Sequence, residues 1–134
     1  MVQKEAAERL CAQPGTRECG AVSAAVQYYA EPEILFEVSR GSFMPAPNVD
    51  SAVIQLRIRK EPPVDVHDEA LFFRVIRAAF AQRRKTAVNS ISNTLHMSKQ
   101  QVTDAFEQAG VRANSRAEAL TLPEFAAVVN QLTD

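Results

Sequence analysis

The sequence predicts an α+β chain: helices and an antiparallel strand pair come first, and an all-helical part follows. Two stretches of alternating apolar residues, at 34–38 and 52–59, predict the strands. Four amphipathic helix patterns follow the segment KEPPVD at 60–65, where adjacent prolines interrupt both helix and sheet. We therefore predict a domain boundary between 1–61 and 62–134.

Length and composition are those of one globular domain, or of one domain with part of another. The chain has 134 residues, of which 46% are hydrophobic and 23% are charged, and its net charge is −1. A site for a polyanion must therefore come from local clustering of basic residues. Cys11 and Cys19 lack metal-ligand spacing and are interpreted as free thiols. The charged N-terminus and the absence of a long apolar run predict a cytoplasmic protein.

The first half predicts two helices and two strands in succession. Apolar residues spaced by four predict a short N-terminal helix that includes Val2. The run at 21–30 predicts a second helix, which Pro32 ends. The two strands are expected to pair antiparallel, and alternation in the second predicts a buried face that includes Leu56 and Ile58.

The second half predicts four short helices, each apolar on one face, which must pack on each other. The weakest pattern is at 86–95, and Gly110 ends the third helix. Three helices have a clear start signal. These signals are an N-cap at Asp68 and capping boxes at Ser98 with Gln101 and at Thr121 with Glu124.

The loop FMPAPNVDSAV at 43–53 connects the strands and is far longer than a hairpin needs. Pro45 and Pro47 hold the backbone extended and stiff, with Phe43 at the tip, which suits a planar ligand. The alternative is a simple connection whose aromatic side chain folds back into the core. Asp50 has two interpretations as well, because it can orient a substrate or close a turn.

Five basic residues and no acidic residue lie between positions 74 and 85. They are Arg74, Arg77, Arg83, Arg84 and Lys85. Cations near the end of a helix complement its dipole, which contributes roughly a few tenths of a kcal/mol each. The functional interpretation is a ridge that contacts RNA phosphates, because the guanidinium group matches phosphate oxygens.

No other pattern predicts a catalytic, metal or cofactor site in this chain. His67 and His96 lack neighbouring ligands at metal spacing and are interpreted as surface residues. Ser51 has no nucleophile motif around it. The four glycines do not form a nucleotide-binding fingerprint.

Several motifs, taken in order, resemble those of one known family. The motifs are Gln3-Lys4-Glu5 with Arg9, Gly20 with Ser23, Gln27-Tyr28-Tyr29, FxPxPxVDSAV at 43–53, FAQRRKT at 80–86 with Asn89, and RAEAL at 116–120 ahead of Phe125. They resemble the ribosomal RNA adenine dimethyltransferases of the KsgA type, which are related to the Erm resistance methylases and to mitochondrial transcription factor B. The resemblance runs essentially from end to end.

This resemblance implies an S-adenosylmethionine-dependent enzyme that dimethylates adjacent adenosines near the small-subunit rRNA 3′ end. It implies an α+β fragment: the end of a Rossmann-like methyltransferase domain, with helices and an antiparallel edge strand pair, followed by a small all-helical, rRNA-contacting C-terminal domain. In the family the FxPxP loop helps to form the target-base pocket. By resemblance Phe43 stacks on the adenine, while Pro45, Pro47 and Asp50 shape the loop.

The chain also departs from the family's pattern. The glycine-rich methyl-donor loop and the catalytic Asn-x-Pro-Tyr motif are not in this sequence: Asn48 precedes a valine, and Tyr28-Tyr29 follow Gln27. Met1 matches a position just after the catalytic strand, so we expect the C-terminal half of such an enzyme, cut or encoded short. Alone, it is expected neither to bind S-adenosylmethionine well nor to methylate RNA.

Two functional hypotheses remain open after the sequence analysis. In the first, the chain belongs to a dimethyltransferase whose partner is small-subunit rRNA or a pre-ribosomal particle. In the second, it is a non-catalytic RNA- or ribosome-binding module; no membrane or metal partner is expected in either case. A DNA-binding helix-turn-helix is disfavoured, because the basic residues lie at the end of a helix rather than along a helix that follows a short turn.

The predicted strands raise a separate question about folding, because a lone hairpin is marginal in water. Four apolar residues are expected either to pack on the chain's own helices or to drive self-association. These residues are Ile34, Phe36, Ile54 and Leu56.

Overall fold

A three-stranded sheet and six α-helices make up the described part of the chain, which covers residues 1–16, 19–42, 44 and 48–133 of the computed structural model. In chain order the elements are β1 (Val2–Gln3), α1 (Lys4–Cys11), α2 (Ala21–Tyr29), β2 (Ala30–Val38), β3 (Ser51–Ile58), α3 (Glu69–Phe80), α4 (Ala87–Leu95), α5 (Lys99–Ala109) and α6 (Leu122–Thr133). Single 3-10 turns lie at Arg40–Ser42 and Ala117–Ala119. The α+β class is confirmed.

The sheet has the order β1-β3-β2, and both strand pairs are antiparallel. Pairing of β2 with β3 runs from Ala30 opposite Ile58 to Val38 opposite Ser51. The register shifts by one residue between Ile34 and Phe36, which marks a β-bulge in β2. The predicted antiparallel pairing of the two strands is therefore confirmed.

Two expectations for the first half are wrong at the level of single residues. Val2 lies in β1, opposite Ala52, and the helix begins only at Lys4. Pro32 does not end α2, which stops at Tyr29, but lies within β2. In the described sheet β2 is an edge strand, where a residue without an N–H group is tolerated.

The expected buried face of β3 forms only at one end of the strand. Ala52 is fully buried and Ile54 is half-buried, whereas Leu56 and Ile58 are 46% and 75% exposed. The prediction is wrong for these two residues, because the described helices leave that end of the sheet uncovered. Phe36 is also exposed, so self-association through the sheet stays a prediction.

The predicted N-caps of the second half are confirmed by their hydrogen bonds, whereas the predicted capping box at Ser98 shows only the bond from the Gln101 N–H within the described residues. The side chains of Asp68, Ser98 and Thr121 each accept a bond from the backbone N–H three residues later, at 3.1, 3.1 and 3.3 Å. The Glu124 carboxylate accepts the Thr121 N–H at 3.0 Å and completes a capping box. Gly110 follows α5 with φ of 76°, the left-handed conformation that favours glycine.

The hydrophobic core lies among α3, α4, α5 and α6 and continues into the first half through α2. Phe72, Phe106 and Phe125 are fully buried at its centre. Ala24 and Tyr28 of α2 belong to the same buried cluster. The helical half thus anchors α2, and through α2 it positions the residues before and after that helix.

We expect Phe72→Ala to lower the free energy of unfolding by about 3–5 kcal/mol, because it deletes a fully buried ring and leaves a cavity. Phe36→Ala is the matched control, since its ring is 56% exposed, and should change stability by about 0.5 kcal/mol or less. Urea denaturation of both variants measures the difference. Equal losses would show that the core assignment is wrong.

Candidate nucleic-acid interface

A groove of about 530 Å³ lies between α1 and the turn that connects α3 to α4. Its walls come from α1, from the residues just before α2, from the end of α3 with its following turn, and from the 3-10 turn at 117–119. These segments include the QKE, FAQRRKT and RAEAL motifs. The fold therefore brings together motifs that are far apart in the sequence.

Five basic side chains line this groove and are exposed. They are Arg9, Arg83, Arg84, Lys85 and Arg116. Three acidic side chains, Glu5, Glu8 and Glu118, line it as well. Among the described residues, the salt bridges are formed by Lys4, Arg57 and Arg59 and by no basic residue of the groove. The groove's cations are thus available to an anionic ligand.

Side chains of α4 form hydrogen bonds that hold the turn containing Arg83, Arg84 and Lys85. The buried Ser90 hydroxyl donates to the Ala78 carbonyl and accepts the Gln82 N–H at 3.0 Å. The Gln82 side chain in turn accepts the Asn93 amide at 3.1 Å. The side chains of Arg83, Arg84 and Lys85 are exposed, and none of them forms a salt bridge within the described part of the chain.

Buried polar side chains of α2 fix the position of α1. The Ser23 hydroxyl donates to the Arg9 carbonyl, and the Gln27 amide donates to the Ala12 carbonyl. Ser23 and Gln27 are both fully or almost fully buried. These bonds hold α1 in place, so that Arg9 lines the groove.

The structure separates the five basic residues that the sequence grouped together. Arg83, Arg84 and Lys85 line the groove, whereas Arg74 and Arg77 are exposed along α3. Arg77 instead lines a second depression beside α2. Sequence reasoning did not name Arg9 and Arg116 as contacts, although both lie in the motifs that supported the resemblance.

The proline loop can be followed only in part, because Phe43, Pro45 and Pro47 lie outside the described residues. Asp50 is described, and its carboxylate accepts the Arg40 backbone N–H at 2.9 Å. Its carbonyl accepts the N–H of Lys4, also at 2.9 Å. Asp50 thus closes the base of the loop, and its role in shaping a target-base pocket stays a prediction.

Two tyrosines at the end of α2 connect the first half to the start of α3. The Tyr28 hydroxyl donates to Glu69 Oε2 at 2.9 Å, and the Tyr29 hydroxyl donates to Oε1 at 3.3 Å. The Tyr28 ring contacts Phe72 and Phe73, with ring centroids 5.2 Å apart in each case. Burial, followed by the hydrogen bond and charge of Glu69, raises the pKa of Tyr28 to about 12.

The cysteines are free thiols without an activating environment. Cys19 is buried and Cys11 is half-buried, and burial raises the pKa of both thiols. Within the described residues, no group of three His, Cys, Asp or Glu side chains is placed to hold a metal ion. A search of the same residues for a helix long and apolar enough to span a membrane finds none.

Two solved structures share the fold of this chain. A dimethyladenosine transferase from Plasmodium falciparum superposes with a TM-score of 0.67 at 19% identity, covering 94% of this chain and 53% of the other. The 23S rRNA methyltransferase ErmE gives 0.65 at 22% identity, covering 98% and 52%. The chain therefore shares the fold of about half of each of these two proteins.

Sequence comparison identifies the family. The pattern of the ribosomal RNA adenine dimethylase family matches residues 1–134, so the chain belongs to this family, and the resemblance seen in its motifs is confirmed. Ribosomal RNA small subunit methyltransferase A of Geobacillus sp. (strain WCH70) is 50% identical over 135 residues, covering 98% of this chain and 46% of the relative. The enzyme of the same name from Lachnoclostridium phytofermentans is 50% identical over 128 residues, covering 94% and 44%. The chain spans less than half the length of these relatives.

The raised pKa of Tyr28 predicts a pH dependence of stability. An unfolded tyrosine ionises near pH 10, whereas folded Tyr28 ionises near 12, so only the unfolded state loses this proton in between. The contribution of Tyr28 is therefore complete below about pH 10 and is lost as the pH rises through about 12. We expect Tyr28→Phe to flatten the fall in the free energy of unfolding over this range, measured by urea denaturation at successive pH values.

The control for this measurement is Tyr29→Phe. Tyr29 is 52% exposed, so its removal should flatten the pH curve less than removal of Tyr28. Curves for the wild type and Tyr28→Phe that stay parallel from pH 9 to about 12 would contradict the burial of this hydroxyl against Glu69.

Proposed function

We propose that this chain is the rRNA-contacting part of an S-adenosylmethionine-dependent rRNA adenine dimethyltransferase. In this proposal the enzyme acts in the cytoplasm, during ribosome biogenesis, on adjacent adenosines near the small-subunit rRNA 3′ end. The main support is the family match along the whole chain, together with relatives named ribosomal RNA small subunit methyltransferase A. The groove lined by five basic residues is the second support.

The groove is proposed to hold the RNA backbone. Arg83, Arg84 and Lys85 belong to the turn after α3, Arg9 belongs to α1, and Arg116 donates to the Arg83 carbonyl at 3.5 Å. Guanidinium groups bind phosphate oxygens in pairs of parallel hydrogen bonds, so arginines around one groove suit a phosphate chain. The acidic residues of the groove limit where that chain can lie, because phosphates avoid carboxylates.

The proline loop is proposed to hold the target base. An adenine amine is a weak nucleophile, because its lone pair is delocalised into the ring, so the base must be extruded and aligned with the methyl group. By resemblance Phe43 stacks on the adenine, which contributes about 1–3 kcal/mol. Pro45 and Pro47 stiffen the loop, and the bond from Arg40 to Asp50 closes its base.

The residues of this chain do not fit the methyl donor. The four glycines are isolated in the sequence, and the groove is lined by charged groups without a glycine-rich loop. We therefore propose that the chain alone holds RNA but neither binds S-adenosylmethionine well nor transfers a methyl group. The alternative function, a non-catalytic RNA- or ribosome-binding module, is favoured by the same observation.

The first test is a titration of the chain against a hairpin from the small-subunit rRNA 3′ end, over a series of salt concentrations. Removing two phosphate contacts by Arg83→Ala/Arg84→Ala should weaken binding at least about tenfold at low salt. It should also reduce the slope of log K against log salt by about 1.4–1.8. Arg57→Ala/Arg112→Ala is the charge-matched control, because both residues are exposed and lie outside the groove.

Two results of the titration would count against the proposal. If both double variants weaken binding equally, net charge rather than the groove holds the RNA. If the wild type does not bind even at low salt, the chain does not contact RNA by itself.

The second test is a methylation assay with small-subunit particles and labelled S-adenosylmethionine. We expect no transfer by this chain alone, beside robust transfer by a full-length relative as the positive control. Turnover by this chain alone would overturn the proposed separation of RNA contact from donor binding. RNA binding without transfer agrees with both the enzyme-part and the binding-module proposals.

A further inference from the structure

A second depression, of about 320 Å³, lies beside α2 and shares no lining residue with the basic groove. Its lining consists of Ala21, Ala25, Tyr29, Phe73, Ile76 and Arg77. Two small alanines on α2 leave room next to the aromatic rings. The lining is therefore apolar and aromatic, with a single guanidinium group.

Tyr29 gives this depression a fixed aromatic platform. Its ring stacks on Phe73, with centroids 5.5 Å apart and planes 19° apart, and meets Tyr28 edge-on at 5.2 Å. Its hydroxyl donates to Glu69 at 3.3 Å, which restrains the ring further. Although held on these sides, Tyr29 remains 52% exposed. An exposed ring that is already ordered loses little freedom when a ligand stacks on it.

The charge around the platform is complementary to a nucleotide. Arg77 lines the depression, and Arg74 lies one turn earlier on the exposed surface of α3. Neither residue forms a salt bridge within the described part of the chain. The nearby carboxylate of Glu69 is occupied by the two tyrosine hydroxyls. The Tyr29 ring offers a planar surface for an unpaired base, and the nearby Arg77 guanidinium offers a cation for its phosphate.

We propose that this depression binds one unpaired nucleotide of an RNA strand, with the base stacked on Tyr29 and its phosphate on Arg77. The inference rests on the proposed function, since it assigns a second contact to the same RNA. Stacking on an aromatic ring tolerates different bases, because every base has a π-face. The site is therefore selective for unpaired nucleotides rather than for a sequence.

The experiment uses the full chain and a short single-stranded RNA with one 2-aminopurine, whose fluorescence falls when it stacks. A second RNA has an abasic nucleotide at the same position. We expect the wild type to quench the fluorescence and to bind the abasic RNA about tenfold more weakly. Tyr29→Phe should retain both effects, because it keeps the ring, whereas Tyr29→Leu should lose both.

Two further variants separate this site from the basic groove. Arg77→Gln should weaken binding of both RNAs by the same factor, because it removes a phosphate contact and leaves the platform. Arg83→Ala/Arg84→Ala should lower affinity but keep the full quenching at saturating protein. For each variant, the result is the ratio of its affinities for the two RNAs. A general loss of stability lowers both affinities equally and leaves this ratio unchanged, so a partly destabilised variant remains informative.

The outcomes distinguish failure of this site from failure of the proposed function. If the wild type binds both RNAs equally, without quenching, the depression is not a base site, although RNA contact by the basic groove stands. If Tyr29→Leu quenches as the wild type does, the base stacks elsewhere and the assignment is overturned. If no RNA binds at any salt concentration, the proposed function and this inference both fail.

Discussion

The junction of α2 with α3 determines where the two candidate binding surfaces lie. Tyr28 is almost fully buried there, with its ring on Phe72 and Phe73 and its hydroxyl on Glu69. Aromatic pairs of this kind contribute about 0.5–1.5 kcal/mol each beyond the area they bury. The contact fixes α2 against α3, and Ser23 then fixes α1 against α2. The basic groove exists only because both helices keep these positions.

The distribution of charge explains how a chain with a net charge of −1 can present a cationic surface. On the sheet, the positive charges are balanced locally, by the pairs Arg57–Glu33 and Arg59–Glu31. Exposed pairs like these add about 0–1 kcal/mol to stability, so their main effect is to cancel the local field. The basic residues of the groove and of α3 have no such partner in the described chain, and the five basic side chains that line the groove outnumber its three acidic ones.

The sequence predicted those features that depend on neighbouring residues. Caps at Asp68, Ser98 and Thr121 are local hydrogen bonds, and the apolar stripes of the helices follow from their 3.6-residue period. Sequence periodicity could not predict β1, because a two-residue strand exists only through its pairing with β3. Similarly, the exposure of Leu56 depends on what covers the sheet, which no local pattern encodes.

The same distinction holds for the candidate site. The cluster of basic residues was visible in the sequence, and the family was visible in the motifs. The sequence could not show that this cluster is divided between the groove and the second depression, because the division depends on where α1 and α2 pack. Arg83 lines the groove together with residues of α1, whereas Arg77, six positions earlier, lines the depression that also contains aromatic residues of α2 and α3. One basic stretch thus contributes to two surfaces of different chemistry.

Because α3 contributes residues to both surfaces, the distance between the basic groove and the depression is fixed. At about 1.5 Å per residue, the twelve residues of α3 extend about 18 Å, so the basic groove at its end and the depression beside it lie within reach of one short RNA strand. Each contact alone is modest, since exposed arginines are screened by salt and stacking is tolerant of sequence. When one strand occupies both, the second contact forms at a high effective concentration, and the two affinities multiply. In this proposal the fixed spacing of the two surfaces raises the combined affinity, while stacking on Tyr29 requires the base to be unpaired.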